Sequence, residues 1–447
     1  METVSFEVVV KPEKQRKSVY SEDAFPSSSN LEDYKPPMDK NVVTARKLQQ
    51  NGIIVLDVGE FSISASCAAK KFEDFFSTRI RETKIDASGA GESKVFKFNA
   101  PQAEDNFAIP SDDGLDNLIE RAYIQHDPIF FSERAVPPFW NDKFRLRVPV
   151  DVAQLMGASS VHKKNITGKG VKVVMPDTGF YHHPYFEEQG YNFLSVAAPD
   201  TVDYSTDPNG HGTGECANLF ATAPGINFVG VKMGNPTLAF KTAVQLKPDV
   251  ITCSWGYDMD RPNTGMPNWL KPLYLAVLDA VSKGITVCFS AGNGHYGFPG
   301  SIPEVVSVGG VIVDGNLQYS ATSYTSGFDS TWFPGRSTPD ISGLCGERPT
   351  ADYIVLPVMD GAVLQKNDGW GAFSGTSAAS PMVAGICALL KEANPKLTPE
   401  EIKNILKFTA RDITVGINAH GRNAHPGPDG ATGFGLVQGD RAINAVL

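Results

Sequence analysis

Short apolar segments alternate with segments of helical periodicity from about residue 151 onward, and this alternation restricts the fold more than any other feature of the sequence. The apolar segments are almost continuously hydrophobic, as are strands that are buried on both faces of a parallel sheet. Helices that connect such strands cover the two faces of the sheet. The pattern predicts strands at 171–175, 227–232, 250–254, 285–290 and 305–308, and helices at 212–222, 237–246, 268–283 and 377–394. We therefore expect an α/β domain of three layers with a mostly parallel central sheet.

The first hundred residues have a different pattern, which indicates a separate and smaller α+β domain. Strands are expected at 6–10, 53–57, 61–65 and 94–98, and helices at 42–50 and 68–80. The order β-α-β-β-α-β is that of the split βαβ sandwich, which is also called ferredoxin-like. Acidic and proline-containing segments follow, around a helix expected at 115–125. We assign residues 1–100 to the small domain, 101–150 to a linker and 151–447 to the larger domain.

Charge and hydropathy argue against some classes of partner. A net charge of −10 disfavours nucleic acid and anionic membranes as partners. The sequence has no apolar run of about 18 residues, so no membrane span is expected. The N-terminus shows no basic region followed by a long apolar region, so no secretory signal is expected. The expected location is the cytoplasm, with export by another route left open. The six cysteines are scattered, and buried free thiols are expected.

A serine at the start of a helix is the first candidate for chemistry. The segment 373–385, FSGTSAASPMVAG, opens on small residues that permit a tight turn and continues as an apolar helix. Ser377 lies where the turn becomes the helix, near N–H groups without intrahelical partners and near the positive end of the helix dipole. Most serines at helix starts only cap the helix. A catalytic role for Ser377 requires a base that takes its proton.

Three further polar residues follow predicted strands, where the active groups of open α/β sheets gather. Asp177 follows the first strand, His211 lies in a glycine-rich turn that enters a helix, and Asn293 follows the strand at 285–290. An imidazole can activate a serine hydroxyl, and a carboxylate can fix the tautomer of that imidazole. The amide of Asn293 and the backbone N–H of Ser377 can both donate to an oxyanion. Each residue alone has a structural interpretation, but together they indicate nucleophilic acyl transfer.

The segments DTG, GHGT, SAGN and GTSAASPMVAG, taken in this order, resemble the four signature blocks of subtilisin-like serine proteases. The order Asp177, His211, Ser377 is the subtilisin order, and the resemblance covers roughly residues 150–447. It implies a subtilisin-like fold and a serine endopeptidase. In that reaction Ser377 attacks the scissile carbonyl, His211 carries the proton and Asp177 orients His211. Asn293, with the Ser377 amide, is implied to hold the oxyanion.

The resemblance also implies the residues that bind an extended protein or peptide substrate. Two edge segments are implied to pair with the substrate and to wall its specificity pocket: Ser254, Trp255 and Gly256 in one, and Ala291 and Gly292 in the other. Trp255 stands where smaller aliphatic residues are common in the family, which predicts a narrower subsite. Two further departures from the family are Pro176, in place of an aliphatic residue, and Gly214, where many members carry a second histidine.

The small N-terminal domain resembles the propeptides of this family in its pattern only. The resemblance implies a self-processing zymogen whose N-terminal domain is a folding chaperone and intramolecular inhibitor. Processing is expected within the linker, at a bond that the sequence leaves open. The alternative is a catalytically silent or single-turnover binding protein with the subtilisin fold, whose N-terminal domain covers the cleft.

No cofactor or metal is required for the implied reaction. Members of the family sometimes bind structural calcium, and the loop that contains Asp200, Asp203 and Asp207 could do so. A solvated acidic loop is the favoured interpretation of these three residues.

Overall fold

The computed structural model describes residues 3–13, 16–21, 24–87, 91–98, 108, 110, 114–130, 145–259, 265–347, 351, 353–362 and 369–447. The elements of the N-terminal unit are β1 (Thr3–Val10), a 3₁₀ turn (Leu31–Tyr34), α1 (Met38–Gln50), β2 (Ile54–Val58), β3 (Ile63–Ala68), α2 (Ala69–Phe75), β4 (Ile80–Ala87), β5 (Gly91–Phe98) and β6 (Ile119–Ile124). Within these described ranges, no helix combines the length and apolarity that crossing a bilayer requires.

The elements that follow are, in chain order, β7 (Ile129–Phe130), β8 (Leu146–Arg147), α3 (Val150–Leu155), α4 (Ala158–His162), β9 (Lys172–Asp177), α5 (Pro184–Glu188), β10 (Phe193–Ala197), α6 (His211–Thr222), β11 (Asn227–Lys232), α7 (Pro236–Gln245), β12 (Val250–Cys253), β13 (Trp255–Asp258), a 3₁₀ turn (Asn268–Leu270), α8 (Lys271–Ser282), β14 (Thr286–Ser290), β15 (Gly297–Phe298), β16 (Val306–Val313), β17 (Tyr319–Ala321), β18 (Ile341–Leu344), β19 (Ile354–Pro357), β20 (Trp370–Phe373), α9 (Thr376–Ala393), α10 (Pro399–Thr409) and α11 (Gly439–Asn444).

The N-terminal unit is built on an antiparallel sheet with the strand order β2-β3-β1-β6. With β6 as the last strand, this order is that of the split βαβ sandwich. Residues of α1 and α2 share one apolar core with the sheet. The rings of Phe6 on β1 and Phe72 on α2 lie 4.9 Å apart, nearly edge to face, within this core.

Two expectations for the N-terminal unit are wrong. The segment 115–125, expected to be a helix, instead contains the strand β6. This strand pairs with β1, so that Ala122 lies opposite Val8 and Ile124 opposite Phe6. The strand expected at 94–98 exists within β5, but it pairs with β4 in a separate hairpin. The spacing of Ile119, Ala122 and Tyr123 suits a helix, yet pairing with β1 outweighs this local preference because it completes the edge of the sheet.

The larger sheet has parallel neighbours in the order β10-β11-β9-β12-β14-β16, with β18 parallel and β17 antiparallel to β16. This confirms the predicted α/β class, and each predicted strand and helix from residue 171 onward has its counterpart in the structure, apart from shifts of a few residues at their ends. The alternation of side chains along β9 separates the two faces. Val173 and Met175 lie in the core cluster beneath α6 and α9, whereas Val174 lies in the cluster beneath α7 and α8. Helices, sheet and helices therefore form three layers.

Helices α6 and α9 approach each other closely because a glycine lies at their contact. A Cβ added to Gly385 would lie 2.0 Å from Oγ1 of Thr222, which is too close for any side chain. The same hydroxyl donates a hydrogen bond of 3.0 Å to the carbonyl oxygen of Met382. This contact sets the position of α9 relative to α6, and hence of the residues at the helix starts.

Candidate active site

The carboxyl end of β9 carries a buried carboxylate. Asp177 is the last residue of β9 and is fully buried. Its Oδ1 accepts a hydrogen bond of 2.7 Å from the backbone N–H of Thr178 and another of 2.7 Å from Nδ1 of His211. Because the Nδ1 proton is directed to Asp177, Nε2 is the acceptor of the neutral ring. Nε2 has no hydrogen-bond partner among the described residues. The structure thus brings Asp177 and His211 together.

His211 is the first residue of α6, and the glycine after it lets this helix end approach β9. A Cβ at Gly212 would lie 2.3 Å from the carbonyl oxygen of Gly179 and 3.0 Å from Cβ of Asp177. A side chain at position 212 would push the start of α6 away from β9. The Asp177–His211 hydrogen bond therefore depends on a glycine at this position.

Asp207, which precedes His211 by four residues, fixes the start of α6. Its Oδ1 accepts hydrogen bonds from Oγ1 of Thr178 at 2.8 Å and from the N–H of Gly210 at 3.0 Å. Its Oδ2 accepts from the N–H of Thr213 at 2.9 Å and from Oγ1 of Thr213 at 2.7 Å. The carboxylate therefore joins the end of β9 to the first turn of α6. Sequence reasoning missed this role, which an acidic residue just before a helix start could have signalled.

The other two aspartates of this loop have different partners. Oδ2 of Asp200 accepts a hydrogen bond of 2.5 Å from the N–H of Asn235. The carboxylate of Asp203 accepts from the hydroxyls of Ser205 and Thr206, at 3.0 Å and 2.9 Å. Across the described ranges, no three His, Cys, Asp or Glu side chains are arranged to hold a metal ion.

The surroundings of His211 favour its charged form. Burial alone would lower the pKa of the imidazole, but Asp177, and to a smaller extent Glu215 and Asp207, raise the pKa of His211 to about 9. Asp177 acts both as a negative charge and as the hydrogen-bond acceptor. Above this pKa the neutral ring can accept a proton at Nε2, and the imidazolium that results is stabilised by Asp177.

Ser377 is the second residue of α9 and lies against the start of β13. Its Oγ donates a hydrogen bond of 2.9 Å to the carbonyl oxygen of Ser254, and Oγ of Ser254 donates one of 2.9 Å to the carbonyl oxygen of Ser377. The serine hydroxyl in this structure is thus directed to Ser254 and not to His211. Among the three predicted catalytic side chains, Asp177 and His211 are joined by a hydrogen bond, while Ser377 is bonded to Ser254, which lies between β12 and β13.

Asn293 lies beside the start of α9 and its side chain is held by Thr376. The amide oxygen of Asn293 accepts hydrogen bonds from the N–H of Thr376 at 3.0 Å and from Oγ1 of Thr376 at 2.9 Å. The N–H of Gly292 donates to the same hydroxyl at 3.2 Å. With Oδ1 engaged in this way, the amide N–H groups are directed away from Thr376. Ala291 and Gly292 form the turn between β14 and Asn293, next to the residue that precedes Ser377.

A strand from residues before the larger domain pairs with the predicted substrate-binding segment. β13 pairs antiparallel with β7, so that Trp255 lies opposite Phe130 and Gly256 opposite Ile129. The ring of Phe130 meets the imidazole of His211 with the ring centroids 5.0 Å apart and the planes at 60°. The backbone of β13 is therefore paired with an extended segment of the same chain, next to His211.

The side chain of Trp255 is a core group. It is fully buried, and its indole N–H donates a hydrogen bond of 2.8 Å to the carbonyl oxygen of Pro176. Its ring stands perpendicular to that of Phe289, with the centroids 5.6 Å apart. The indole thus belongs to the core cluster that β12, β14 and α7 share. Two departures noted in the sequence, at Pro176 and Trp255, are thus partners in one contact that joins β13 to β9.

Much of the chain is similar to a known protein family. Residues 168–435 match the family model described as the Subtilase family. The serine protease AprX of Bacillus subtilis (strain 168) is 34% identical over an alignment of 284 residues, and the match covers 55% of this chain and 62% of AprX. Subtilisin Savinase of Lederbergia lenta is 27% identical over 278 residues, which are 60% of this chain and 92% of that protein.

A solved structure has the same fold. Fervidolysin from Fervidobacterium pennivorans, a keratinolytic enzyme related to subtilisin, superimposes with a TM-score of 0.61 at 17% sequence identity. The superposition covers 99% of this chain and 61% of the fervidolysin chain. The chain therefore spans less than two thirds of the length of both AprX and fervidolysin.

Proposed function

The chain belongs to the subtilase family, and from that premise we propose that it is a serine endopeptidase in which Ser377 is the nucleophile, His211 the general base and Asp177 the carboxylate that orients His211. The observation that carries the proposal is the buried 2.7 Å hydrogen bond between Asp177 and His211. It lies at the carboxyl end of β9, and Ser377 is bonded to Ser254 at the carboxyl end of the neighbouring strand β12. A carboxylate, an imidazole and an alcohol at the carboxyl end of the sheet are the groups that acyl transfer needs.

The reaction begins with a change of partner at Ser377. Rotation about its Cα–Cβ bond to another staggered position moves the hydroxyl from the carbonyl of Ser254 to Nε2 of His211. Oγ then attacks the scissile carbonyl as its proton passes to Nε2, and Asp177 stabilises the resulting imidazolium. His211 gives that proton to the leaving amine, which yields an acyl-enzyme. Water, activated by the same imidazole, hydrolyses the ester and restores the hydroxyl of Ser377.

Asn293 and the N–H of Ser377 supply the donors for the tetrahedral oxyanion. Replacing Asn293 with Ala removes one donor that acts mainly in the transition state. We expect kcat to fall by about 10²–10³-fold with little change in KM, the range established for subtilisin. Steady-state kinetics on a peptide substrate measures this, with Asn192→Ala as a control at an amide whose Nδ2 donates to Asn227 on the surface. A rise in KM with kcat unchanged would contradict the assignment, because Asn293 would then bind the substrate and its transition state equally.

We further propose that the chain cleaves itself, and the pairing of β7 with β13 supports this. Antiparallel pairing with an edge strand is how extended peptides add to a sheet. Phe130, the last residue of β7, lies opposite Trp255, which directly follows Ser254, and Ser254 is bonded to Ser377. We therefore expect processing at the Phe131–Ser132 bond.

Contacts between the N-terminal unit and the larger domain support the inhibitor role. Lys241 of α7 is about nine-tenths buried between Asp57 and Glu7 of the N-terminal unit, with its Nζ 2.9 Å and 3.6 Å from their carboxylates. Oγ1 of Thr237 donates a hydrogen bond of 2.6 Å to the side-chain oxygen of Gln125. After cleavage these contacts would hold the N-terminal fragment in place, so that it covers the cleft until it is lost.

Purified full-length wild type beside Ser377→Ala tests the proposal. We expect the wild type to release an N-terminal fragment that ends at residue 131, and the variant to remain intact, on a gel and by intact mass. Cleavage of both chains would point to another protease.

Two intact chains would favour the second candidate, a binding protein whose cleft is covered. The bond from Ser377 to Ser254 and the strand β7 in the cleft are the observations that favour this candidate. Reaction with a fluorophosphonate separates the two candidates, because only the endopeptidase is labelled at Ser377.

A further inference from the structure

A third buried carboxyl group, besides Asp177 and Asp207, lies one helical turn beyond His211. Glu215 is on α6, four residues after His211, so the two side chains project from the same side of the helix. Glu215 is fully buried. The neighbouring face of α6 is tightly packed, since a Cβ at Gly214 would lie 2.4 Å from the ring of Phe373. Glu215 therefore stays beside the Asp177–His211 pair and does not reach solvent.

The carboxyl group of Glu215 is only partly satisfied. Its Oε2 accepts a hydrogen bond of 2.8 Å from Nδ2 of Asn218, whereas Oε1 has no hydrogen-bond partner among the described residues. A buried carboxyl group with a vacant oxygen costs stability in either protonation state, and it costs more when it is ionised. An apolar side chain would fill this space without that cost.

The ionisable groups near Glu215 come from three parts of the fold. They are His211 and Cys216 on α6, Asp177 at the end of β9, and Cys345 just after β18. His211 is the only one of these groups that becomes a cation. Asp177 accepts the hydrogen bond from Nδ1 of His211, and Glu215 and Asp207 are further carboxyl groups whose charge acts on the same imidazole.

We propose that Glu215 is a positioning residue for the proposed proteolytic reaction, whose ionised carboxylate stabilises the imidazolium of His211 from the side of the core. The inference rests on the proposed function and adds a regulator of its pH dependence. No proton passes to Glu215 during turnover: the proton of Ser377 goes to His211 and then to the leaving amine. The charge of Glu215 changes only with pH, so His211 and Glu215 titrate as a coupled pair.

The direction of the titration follows from burial. Burial raises the pKa of Glu215 to about 7, against the opposing effects of His211 and the Asn218 hydrogen bond. Ionised Glu215 in turn raises the pKa of His211. Removing the charge therefore lowers the pKa of His211, and the base becomes neutral, and hence active, at lower pH.

The pH dependence of kcat/KM for wild type and Glu215→Gln tests the proposal. We expect the acid limb of the variant to lie about half to one pH unit lower, and its kcat above pH 8 to fall about threefold to tenfold, since a nearby charge shifts a pKa by about this much. Cys216→Ala, at the next buried position of α6, is the matched control and should keep the wild-type profile. Asn218→Ala, which removes the donor to Glu215, should shift the limb in the same direction as Glu215→Gln and serves if that variant does not fold.

A second measurement requires no activity. In the Ser377→Ala background, the folded pKa of Glu215, at about 7, lies above its usual value of 4.5, so between these values the folded chain holds a proton that the unfolded chain has released. Stability contributed by this proton falls as pH rises through that window. We therefore compare the melting temperature of the Ser377→Ala chain with that of the same chain carrying Glu215→Gln. The second minus the first should increase between pH 4.5 and about pH 7 and level off above it.

The outcomes separate the two proposals. A wild type that a fluorophosphonate does not label would overturn the proposed function and this inference with it. Labelled chains whose wild-type and Glu215→Gln profiles coincide would overturn the role of Glu215 alone. A melting-temperature difference that is constant with pH would do the same, because Glu215 would then keep one charge state.

Discussion

Replacing Ser377 with Ala is expected to lower kcat for a peptide substrate by about 10⁶-fold, because no other group in the proposed mechanism can form the acyl-enzyme. The residual rate comes from binding and oxyanion stabilisation alone. Since the variant cannot process itself, both chains should carry an inserted cleavage site for an unrelated protease within residues 131–144. Cutting both chains at this inserted site separates the loss of chemistry from the loss of self-processing. The turnover of a fluorogenic peptide then measures kcat for each chain.

Ser380→Ala is the matched control for this prediction. Ser380 lies on the same helix, is fully buried and has its hydroxyl 3.2 Å from that of Thr252. Its substitution removes one buried hydroxyl without touching the proposed chemistry, so activity should stay within about threefold of wild type while stability falls by about 1 kcal/mol. Equal losses of activity in the two variants would mean that packing of α9, and not nucleophilic attack, explains the effect at Ser377.

Replacing Asp177 with Asn is expected to lower kcat by about 10⁴-fold with the fold intact. Asparagine can present an N–H to Nδ1 of His211, which then becomes the acceptor and leaves the ring proton on Nε2. That tautomer cannot take the proton of Ser377. The loss of the charge also lowers the pKa of His211, which burial depresses and Asp177 chiefly raises, so the acid limb of the remaining activity should move to lower pH.

The pH profile of kcat, with melting temperature as the check on folding, measures the effect of Asp177→Asn. Asp203→Asn is the control, because Asp203 is an exposed carboxylate in the loop after β10 that accepts hydrogen bonds from the hydroxyls of Ser205 and Thr206. We expect that variant to match wild type. A loss of less than about 100-fold in Asp177→Asn would show that His211 does not depend on this carboxylate for its tautomer.

Local sequence patterns were sufficient for the elements that position the site. The apolar strands that end at Asp177 and before Asn293, the helix that begins at His211 and the helix that carries Ser377 are all found within a few residues of their expected bounds. Each of these depends on hydrophobic periodicity and turn residues over one strand or a few helical turns. Gly212, next to His211, and Gly385, in α9, are likewise visible in the sequence. Only the structure shows why glycine is required there: backbone or side-chain atoms at the end of β9 and in α6 lie too close for a Cβ.

Choices among distant partners were decided by tertiary structure alone. The periodicity around Ile119 suits a helix, but the segment is the edge strand β6 because β1 offers it a partner. Trp255 stands in a segment expected to bind substrate, yet its indole lies in the core because the carbonyl of Pro176 accepts its N–H. The sequence favours a solvated acidic loop for Asp207, but this residue is fully buried and accepts hydrogen bonds from four donors around the start of α6.

The sequence by itself determined which chemical groups this protein has and at which strand and helix ends they lie. Only the tertiary structure decided that the hydroxyl of Ser377 bonds to Ser254, that Phe130 lies against His211, and that Glu215 is buried beside the Asp177–His211 pair. The physical reason is range. A residue's backbone conformation depends mostly on near neighbours in the chain, whereas its hydrogen-bond partner and burial depend on segments that folding brings together from far away.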